Sequence, residues 1–328
     1  MHAILSGLSL KEYPRYYGKI NVIKALVIGY GSIGERHTRL LTKMGCDVAV
    51  VSSRNVEHEK IFSSLREALD NHEPEYVVIA NNTTEHKNTL TLLDGYSYKG
   101  KLLIEKPLWS LNEVEFVPKM ERVFIGFNLR FHPVIIKLRE LMVKQKLLSV
   151  DIHCGSYLPD WRPGRDYKKT SSALKSTGGG VLTDLSHELD YVLWLFGQWS
   201  KITSLGGKVS KLEIETDDVH VIVMETDKCP IVTVHLNYFE RRERRTINVN
   251  TESNTFEADM IESTVRDYAM DHVYDFDKDK VIDSTYEKEH LSILNGDYSN
   301  CCDFNSALDV MGLMNAIASS SGKKWINR

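Results

Sequence analysis

The feature that most constrains this chain is a glycine-rich turn in the run VIGYGSIGERHTR, residues 27–39. The pattern Gly-x-Gly-x-x-Gly follows an apolar segment, Ala25–Ile28, and opens an amphipathic one, Ile33–Met44. We predict the first segment as a strand and the second as part of a helix that begins near Ser32. A strand, a glycine turn and a helix in this order predict the first unit of a dinucleotide-binding sheet.

Each glycine of the turn has a physical role in such a site. Gly29 permits the tight turn after the strand, Gly31 lets the backbone approach a pyrophosphate, and Gly34 lets the helix pack closely on the strand. The helix start supplies free N–H groups and the positive end of a dipole for the phosphates. A plain glycine turn is the alternative interpretation. The cofactor-binding residues predicted in this turn are Gly29, Tyr30, Gly31, Ser32, Ile33 and Gly34.

The end of the second predicted strand indicates which dinucleotide would bind. The strand is followed by two serines and an arginine, Ser52, Ser53 and Arg54. An NAD site usually carries Asp or Glu there, which hydrogen-bonds the ribose 2′-hydroxyl. Two hydroxyls and a guanidinium suit a 2′-phosphate, because Arg offers a planar set of donors. We therefore expect NADP to be preferred over NAD, unless Arg54 is a solvated loop residue and either cofactor binds.

Length and composition indicate an ordinary globular protein of two domains. The chain has 328 residues, of which 42% are hydrophobic and 26% are charged, and its net charge is −4. Because there is no global basic field, nucleic acid and anionic membranes are not expected partners. The densest basic run, Arg241–Arg245, is interrupted by Glu243. We interpret it as a solvated strand or turn, with a binding patch as the alternative.

The cysteines and the first residues of the chain indicate the cellular compartment. Five cysteines, an odd number, follow no zinc-binding spacing, so we expect reduced thiols, a cytoplasmic protein and no metal site. No apolar run reaches membrane-spanning length, and Met1–Leu10 lacks the basic leading region of a secretory signal. Residues 1–22 precede the first strand and are interpreted as an extra N-terminal arm.

Strand-like and helix-like segments alternate up to residue 127. After the first strand and helix we predict strands at Asp47–Val51, Glu75–Ala80, Lys101–Glu105 and Arg122–Phe127, and helices at Ser64–Asp70, Thr84–Leu93 and Leu111–Lys119. Such alternation with short connections predicts a parallel, doubly wound Rossmann sheet in a dinucleotide-binding domain, residues 23–127.

The second half of the chain has a different pattern. We predict helices at His132–Lys146, Gly179–Phe196 and Asp303–Ser320, a polar loop at Pro159–Thr177, and strands at Leu148–Tyr157, Ile202–Ser210, Asp218–Glu225, Ile231–Phe239, Thr246–Asn250 and Thr255–Met260. Successive strands without intervening helices predict a large, mostly antiparallel open sheet. The predicted fold class is α/β, with a C-terminal α/β domain, residues 128–328, that binds substrate and forms oligomers. No flexible linker is evident, so we expect a rigid cleft between the domains.

Three clusters outside the glycine turn carry groups that can do chemistry. In the first, Glu105, Lys106 and Pro107 follow a predicted sheet strand. Open α/β sheets bind ligands outside the carboxyl ends of their strands, so Lys106 would point into the cleft. There it can donate to a substrate hydroxyl or relay its proton. A plain turn is the alternative.

The second cluster follows the glycines at 178–180. Asp184 and His187 are three residues apart on a predicted helix, which puts both side chains on one face. A carboxylate and an imidazole there can orient a proton-transfer group. Alternatively, Asp184 caps a local turn and His187 is a buried histidine whose hydrogen bonds are satisfied.

The third cluster lies in the polar loop before that helix. Its arginines suit a phosphate or carboxylate, and its aromatic faces suit a sugar ring. A surface loop with a buried tryptophan is the alternative. The residues concerned are Tyr157, Trp161, Arg162, Arg165 and Tyr167.

In order, the runs VIGYGSIGERH, IANNTTEH, IEKP and GGGVLTDLSHELDYVLWLFG resemble the glucose-fructose oxidoreductase / inositol dehydrogenase (Gfo/Idh/MocA) family, over about residues 24 to 325. The resemblance implies a Rossmann domain, an α/β domain with a large open sheet, and oxidation or reduction of a carbinol with NAD(P). It implies that Lys106 is the catalytic lysine, His187 the acid/base residue and Asp184 the nearby aspartate. Many members separate these last two by four positions, whereas the separation here is three.

The same resemblance extends the site and suggests a substrate. It adds to the cofactor-binding residues Asn81, Thr83, His86, Glu105 and Lys106. The tryptophan–arginine loop followed by SHELDY resembles the branch associated with bacterial surface-glycan sugars, which implies a sugar or nucleotide-sugar substrate that contacts Lys106, Asp184, His187 and the loop. Members often assemble through the exposed sheet, so a homodimer or homotetramer is expected. The alternative function is a sensor or regulator that binds the dinucleotide without turnover.

Overall fold

A computed structural model describes residues 22–54 and 56–321, so the predicted arm lies almost entirely outside the described residues. The helices are α1 (Ser32–Lys43), α2 (Leu65–His72), α3 (Thr83–Gly95), α4 (Pro133–Leu141), α5 (Val181–Asp184), α6 (His187–Phe196), α7 (Lys278–Asn295) and α8 (Phe304–Ser320). The strands are β1 (Lys24–Ile28), β2 (Asp47–Val51), β3 (Ile61–Phe62), β4 (Tyr76–Ile79), β5 (Lys101–Glu105), β6 (Val123–Gly126), β7 (Leu147–Gly155), β8 (Trp199–Gly207), β9 (Val219–Thr226), β10 (Val232–Asn237), β11 (Arg244–Thr251), β12 (Thr255–Asp259), β13 (Thr264–Asp267), β14 (His272–Asp275) and β15 (Cys302–Asp303).

The first sheet has the strand order β3-β2-β1-β4-β5-β6, with β15 added beside β6. Its first six strands are parallel, which confirms the predicted doubly wound sheet, and their order is that of a dinucleotide-binding fold. β15 is antiparallel to β6. The order reverses between β1 and β4, so the carboxyl ends of these two neighbours open a crevice suited to a ligand.

Coverage of both faces explains why the strands of this sheet are so apolar. β1 and β4 read KALVI and YVVI, and every residue in them except Lys24 is buried. α1 packs on β1 and β2 with Leu40 and Leu41 buried, and α7 packs on α1. α7 and β15 therefore connect the last part of the chain to the first sheet. The division of the chain at residues 127 and 128 stays a prediction.

The second sheet has eight strands in the order β14-β13-β12-β11-β7-β10-β9-β8. Every neighbouring pair is antiparallel except β7 and β10, which confirms the prediction of a mostly antiparallel sheet. α8 contacts α6, β8 and β6, so it touches both sheets and holds them together. None of the described helices has the length and apolar character needed to cross a bilayer.

The segment Leu111–Lys119, predicted as a helix, is irregular. Asn112 takes a left-handed φ of 60°, and its backbone N–H donates to the side chain of Asn315 at 3.1 Å. Val114 and Val117 are exposed, so a helix here would have no apolar face to bury. The prediction is wrong because a long-range contact replaces the helical pattern.

The helix predicted at Gly179–Phe196 is divided into α5 and α6. Leu185, with φ −97° and ψ 32°, interrupts it, so Asp184 and His187 do not share one continuous helix as predicted. The helix predicted at His132–Lys146 is also shorter, because α4 ends at residue 141. The predictions omitted α7 and the short strands β3, β13, β14 and β15.

Candidate active site

A cavity of about 730 Å³ lies outside the carboxyl ends of β1, β4 and β5. One wall comes from the turns after these strands, and the opposite wall comes from the loop between β7 and α5. Most of the residues predicted for cofactor, catalysis and substrate therefore line one cavity. They are Gly31, Ser32, Ile33, Arg54, Asn81, Thr83, His86, Glu105, Lys106, Trp161, Arg162, Arg165 and Asp184.

The glycine turn leaves space for a ligand at one position only. Gly29 has a φ of +95°, and a Cβ there would lie 2.6 Å from the backbone of Asn81. A Cβ at Gly34 would lie 2.0 Å from the carbonyl oxygen of Gly29, so α1 packs on the turn only without that atom. A Cβ at Gly31 would meet no described atom within 4 Å. Gly29 and Gly34 are thus required by the fold, whereas Gly31 keeps the cavity open.

The start of α1 supplies donors to the same cavity. Ser32 and Ile33 line it, and no side chain caps the first N–H groups of the helix. These free groups and the positive end of the helix dipole favour a phosphate. Tyr30 is half-buried and does not line the cavity, and burial followed by the charge of Glu35 raises its pKa.

Asn81, after β4, offers an unpaired acceptor. Its Nδ2 donates to Thr89 at 2.9 Å, but its buried Oδ1 has no hydrogen-bond partner among the described residues. A buried acceptor without a partner costs about 1–3 kcal/mol, so a ligand that donates to it would be stabilised. Thr83 lines the cavity beside it, at the start of α3. The unpaired Asn81 oxygen and the open space at Gly31 fit a bound dinucleotide.

His86 supports the turn that follows β5. Its buried ring lies 3.0 Å from the carbonyl oxygen of Pro107 at Nδ1 and 3.2 Å from that of Asn81 at Nε2. Burial lowers the pKa of His86, so a neutral ring donates to one of these carbonyls. The ring therefore holds the turn at Lys106 against the end of β4. The peptide bond between Lys106 and Pro107 is cis.

The turn after β2 presents Arg54 at the rim of the cavity. The backbone N–H of Arg54 donates to Ser52 Oγ at 3.0 Å, which shapes the turn. Ser53 and Arg54 are both exposed. No carboxylate in the part of the chain that the structure describes lies within 4.0 Å of the Arg54 guanidinium, so it is available to an anion.

Glu105, the last residue of β5, is fixed by a chain of buried hydrogen bonds. Its Oε1 lies 2.8 Å from His37 Nε2, and its Oε2 accepts the backbone N–H of Lys106 at 3.2 Å. His37 Nδ1 lies 2.9 Å from His290 Nε2, and His290 Nδ1 lies 2.9 Å from the Tyr76 hydroxyl. These contacts join α1, α7 and the sheet, and they hold the backbone at Lys106.

Lys106 reaches across the cleft to the end of α5. Its Nζ donates to the backbone carbonyl oxygen of Asp184 at 2.6 Å. The Asp184 carboxylate accepts the hydroxyl of Tyr238 at 2.5 Å, and the Tyr238 ring packs edge-on against Trp161. Lys106 and Asp184 are therefore neighbours, but the ammonium contacts the carbonyl and not the carboxylate. Tyr238 was not predicted as a site residue, since its partner Asp184 is 54 residues away in the chain.

His187, at the start of α6, does not line this cavity, and its ring packs edge-on against Phe127. Its Nδ1 is buried and has no hydrogen-bond partner within residues 22–54 and 56–321, so His187 is not a fully satisfied core histidine. Burial, the Lys106 ammonium and the Arg245 guanidinium hold the pKa of His187 well below its usual value. The imidazole is therefore neutral near pH 7 and can accept a proton. The Lys106 ammonium therefore opposes a positive charge on His187.

The loop between β7 and α5 contributes to the opposite wall. Its residues in the cavity lining include Trp161, Arg162 and Arg165. Tyr157 and Tyr167 do not line this cavity. The hydroxyl of Tyr167 accepts the backbone N–H of Glu213 at 3.2 Å, which anchors the loop. Tyr157 lies under the guanidinium of Arg241 in a neighbouring cavity.

The run Arg241–Arg245 is not uniformly solvated, and for Arg245 that interpretation is wrong. Arg245, on β11, forms a two-point ion pair with the buried Glu188 of α6, at 2.8 and 3.3 Å. Arg241 is exposed but stacked, with its Cζ 3.5 Å from the centroid of the Tyr157 ring. Strand alternation could have signalled this, because neighbouring residues of a strand face opposite sides of the sheet.

Residues 142–257 match the family model described as the GFO/IDH/MocA C-terminal domain. This stretch of the chain is therefore similar to the C-terminal domain of GFO/IDH/MocA proteins. The match includes β7, the loop with Trp161 and Arg162, and α5 and α6 with Asp184 and His187. A search of curated proteins finds no match to the chain.

Solved structures share the fold of this protein over nearly its whole length. UDP-N-acetylglucosamine 3-dehydrogenase GnnA from Acidithiobacillus ferrooxidans is 18% identical, with a TM-score of 0.72 over 91% of this chain and 97% of that one. Levoglucosan dehydrogenase, in complex with NADH, is 16% identical, with a TM-score of 0.75 over 91% and 96%. A putative NADPH-dependent oxidoreductase from Desulfitobacterium hafniense is 15% identical, with a TM-score of 0.75 over 92% and 96%.

Proposed function

We propose that this protein is an NAD(P)-dependent oxidoreductase that transfers hydride between nicotinamide and a carbinol or keto carbon of a sugar or nucleotide sugar. The observation that carries the proposal is that the open glycine turn at Gly31, the Lys106 side chain and Asp184 line one cavity. The fold relatives support it, since their titles name dehydrogenases of a nucleotide sugar and of levoglucosan.

The residues of the chain can manage the proton that accompanies the hydride. A bound nicotinamide would supply or accept the hydride itself. During oxidation, neutral His187 accepts the hydroxyl proton and the Lys106 ammonium stabilises the developing negative charge on oxygen. During reduction the same groups return the proton. Asp184 acts by orienting Lys106 through its carbonyl oxygen, with Tyr238 holding its carboxylate.

We propose that the protein binds NADP more tightly than NAD, and that this preference depends on Arg54. Arg54→Ala should weaken NADP binding by roughly 1.5–3 kcal/mol, the value of one charge-assisted contact, and leave NAD binding nearly unchanged. Fluorescence titrations with NADPH and NADH measure both affinities. Arg66→Ala is a matched control, because Arg66 is an exposed arginine on α2 that pairs with Asp70 outside this cavity. A wild-type preference for NAD would contradict the proposal.

The proposed substrate is anionic, because Arg162 and Arg165 line the wall opposite the glycine turn. Neutral sugars, sugar phosphates and nucleotide sugars can be compared by following the absorbance of the reduced nicotinamide. Replacing both arginines with Gln should raise KM for the anionic substrate by about tenfold or more and barely change kcat. Turnover of neutral sugars alone, insensitive to these arginines, would refute the anionic assignment. An absence of turnover with every class would count against the proposed activity.

We further propose a homodimer or homotetramer assembled through the open face of the second sheet, in the cytoplasm. Leu205 and Val221 pair across β8 and β9, and together with Val223 they are exposed apolar residues on these strands. Burying such a patch against a second copy is favourable. The five cysteines are all unpaired, which suits a reducing compartment. Light scattering of the purified protein tests the assembly, and a stable monomer would refute it.

A further inference from the structure

A second cavity, of about 530 Å³, adjoins the candidate active site. We name it the arginine pocket and define it by Tyr157, Arg162 and Arg241. Gly155 and Ser156, the two residues before Tyr157, also line it. Its volume lies within the range of about 300–1,000 Å³ that is typical of small-molecule sites. Arg241 itself has no role in the function proposed above.

The charges in the arginine pocket are only partly balanced. Arg245 also lines it, but its charge is matched by the buried Glu188. Asp160 and Glu243 line it as well. Among the residues with described positions, no carboxylate lies within 4.0 Å of the guanidinium of Arg162 or Arg241. Arg244 lines the pocket too and donates to Thr246, so three guanidinium groups of the pocket, those of Arg162, Arg241 and Arg244, lack an anionic partner among the described residues.

Arg241 is held in place although it is exposed. Its Cζ lies 3.5 Å from the centroid of the Tyr157 ring, close enough for a stacked cation–π contact. The planar guanidinium keeps its N–H donors while it stacks, so they stay available at the edge of the group. An arginine fixed in this way loses less side-chain entropy when it binds an anion.

The arginine pocket and the candidate active site share lining residues. Trp161 and Arg162 line both cavities. Leu185, which lines the arginine pocket, directly follows Asp184, whose carbonyl oxygen receives Lys106. A ligand can therefore place one part beside Lys106 and His187 and extend past Trp161 towards Arg241.

We propose that the arginine pocket binds the diphosphate of a nucleotide sugar whose sugar ring lies beside Lys106 and His187. This inference rests on the proposed function and names the substrate class within it. Arg162, at the junction, and Arg241, farther along, each present donors that match phosphate oxygens, so two linked phosphates can be bound by two guanidinium groups. A neutral sugar would leave both groups without a partner.

The test uses UDP and inorganic phosphate as probes, with binding measured by calorimetry. The protein is first saturated with NADPH or NADH, and nicotinamide fluorescence verifies that the dinucleotide stays bound, so that the probe cannot occupy the glycine turn. The variant is Arg241→Gln. The matched control is Arg242→Gln, since Arg242 is the exposed neighbour in the same run and lines neither cavity. Thermal unfolding of both variants verifies that they fold.

We expect UDP to bind the wild type more tightly than inorganic phosphate does. Arg241→Gln should weaken UDP binding by about tenfold or more, and Arg242→Gln by no more than about twofold. Equal UDP affinity in wild type and Arg241→Gln, equal losses in both variants, or UDP binding no tighter than phosphate would each overturn the inference. Failure of the proposed function would be seen separately, as an absence of dinucleotide binding. The dependence of UDP affinity on Arg241 can still be measured in that case.

Discussion

Replacing Lys106 with Met should lower kcat by about 100- to 10,000-fold and leave dinucleotide affinity unchanged. The reason is that the Lys106 ammonium contacts the Asp184 carbonyl at the end of the cavity, where it can stabilise charge on a reacting oxygen. The glycine turn, which would bind the pyrophosphate, follows β1, whereas Lys106 follows β5. Methionine keeps the length and apolar stem of the side chain, so the fold should be retained. Steady-state kinetics with the substrate found in the panel, together with NADPH fluorescence titration, measure both quantities.

His187→Ala should cause a loss of similar size, because the neutral imidazole is the group able to accept the proton. If Lys106 and His187 act on the same hydroxyl as one unit, the double variant should be little worse than either single variant. His132→Ala is a matched control, since His132 is another buried histidine whose pKa burial lowers to about 3, and its ring accepts the backbone N–H of Val134 at the start of α4.

Two results would contradict this assignment. Variants with nearly wild-type kcat would remove both residues from the chemical step. A wild-type protein that binds the dinucleotide tightly but turns over no sugar in the panel would favour the sensor or regulator, which is the alternative function for this fold. Losses in cofactor affinity equal to the losses in rate would instead indicate that the substitutions disturb the whole cavity.

The first sheet could be predicted because its signals are local. The turn after β1, the apolar run of β4 and the strand before Lys106 each show their structure within about a dozen residues of sequence. The rule that ligands bind at carboxyl strand ends then indicates that Gly31 and Lys106 share a cavity, and the structure agrees. For a parallel sheet, the sequence therefore predicts which residues lie at the carboxyl ends of the strands, even when those residues are far apart in the chain.

The contacts that complete the site depend on pairs of distant residues, and no local pattern specifies them. His290 reaches His37 from α7, a helix whose partly polar pattern gave no strong amphipathic signal. Tyr238 meets Asp184 because α5 packs against β10, the strand that ends just before Tyr238. The ion pair of Arg245 and Glu188 likewise joins distant residues, and the Arg245 guanidinium contributes to the lowered pKa of His187.

The break between α5 and α6 is another feature that a helical pattern hides. Residues 181–196 are apolar enough to predict one helix, yet Leu185, with φ −97° and ψ 32°, leaves helical geometry. The break lets the carbonyl oxygen of Asp184 accept Lys106 instead of a helical N–H four residues later. Asp184, three residues before His187, thus contacts Lys106 through its backbone oxygen and not through its carboxylate.

Gly31→Val should prevent dinucleotide binding while the protein still folds. Gly31 has φ −85° and ψ −168°, an extended conformation that valine adopts readily, and a Cβ there meets no described atom within 4 Å. The added methyl groups would occupy the space left for the pyrophosphate. The expected loss is about 3 kcal/mol or more, roughly 100-fold in affinity, since α1 and the turn cannot move away.

Two further glycines make this prediction specific. Gly34→Ala should fail for a different reason, because its Cβ would lie 2.0 Å from the Gly29 carbonyl oxygen and α1 could not pack, so both thermal stability and binding are lost. Gly95→Val should keep both, since Gly95 is the exposed last residue of α3 and its Cβ also enters open space, away from the cavity. Thermal unfolding and NADPH fluorescence titration of all three variants separate the two effects. If Gly31→Val folds and binds the dinucleotide like the wild type, the pyrophosphate does not lie over this turn, and the proposed cofactor site is wrong.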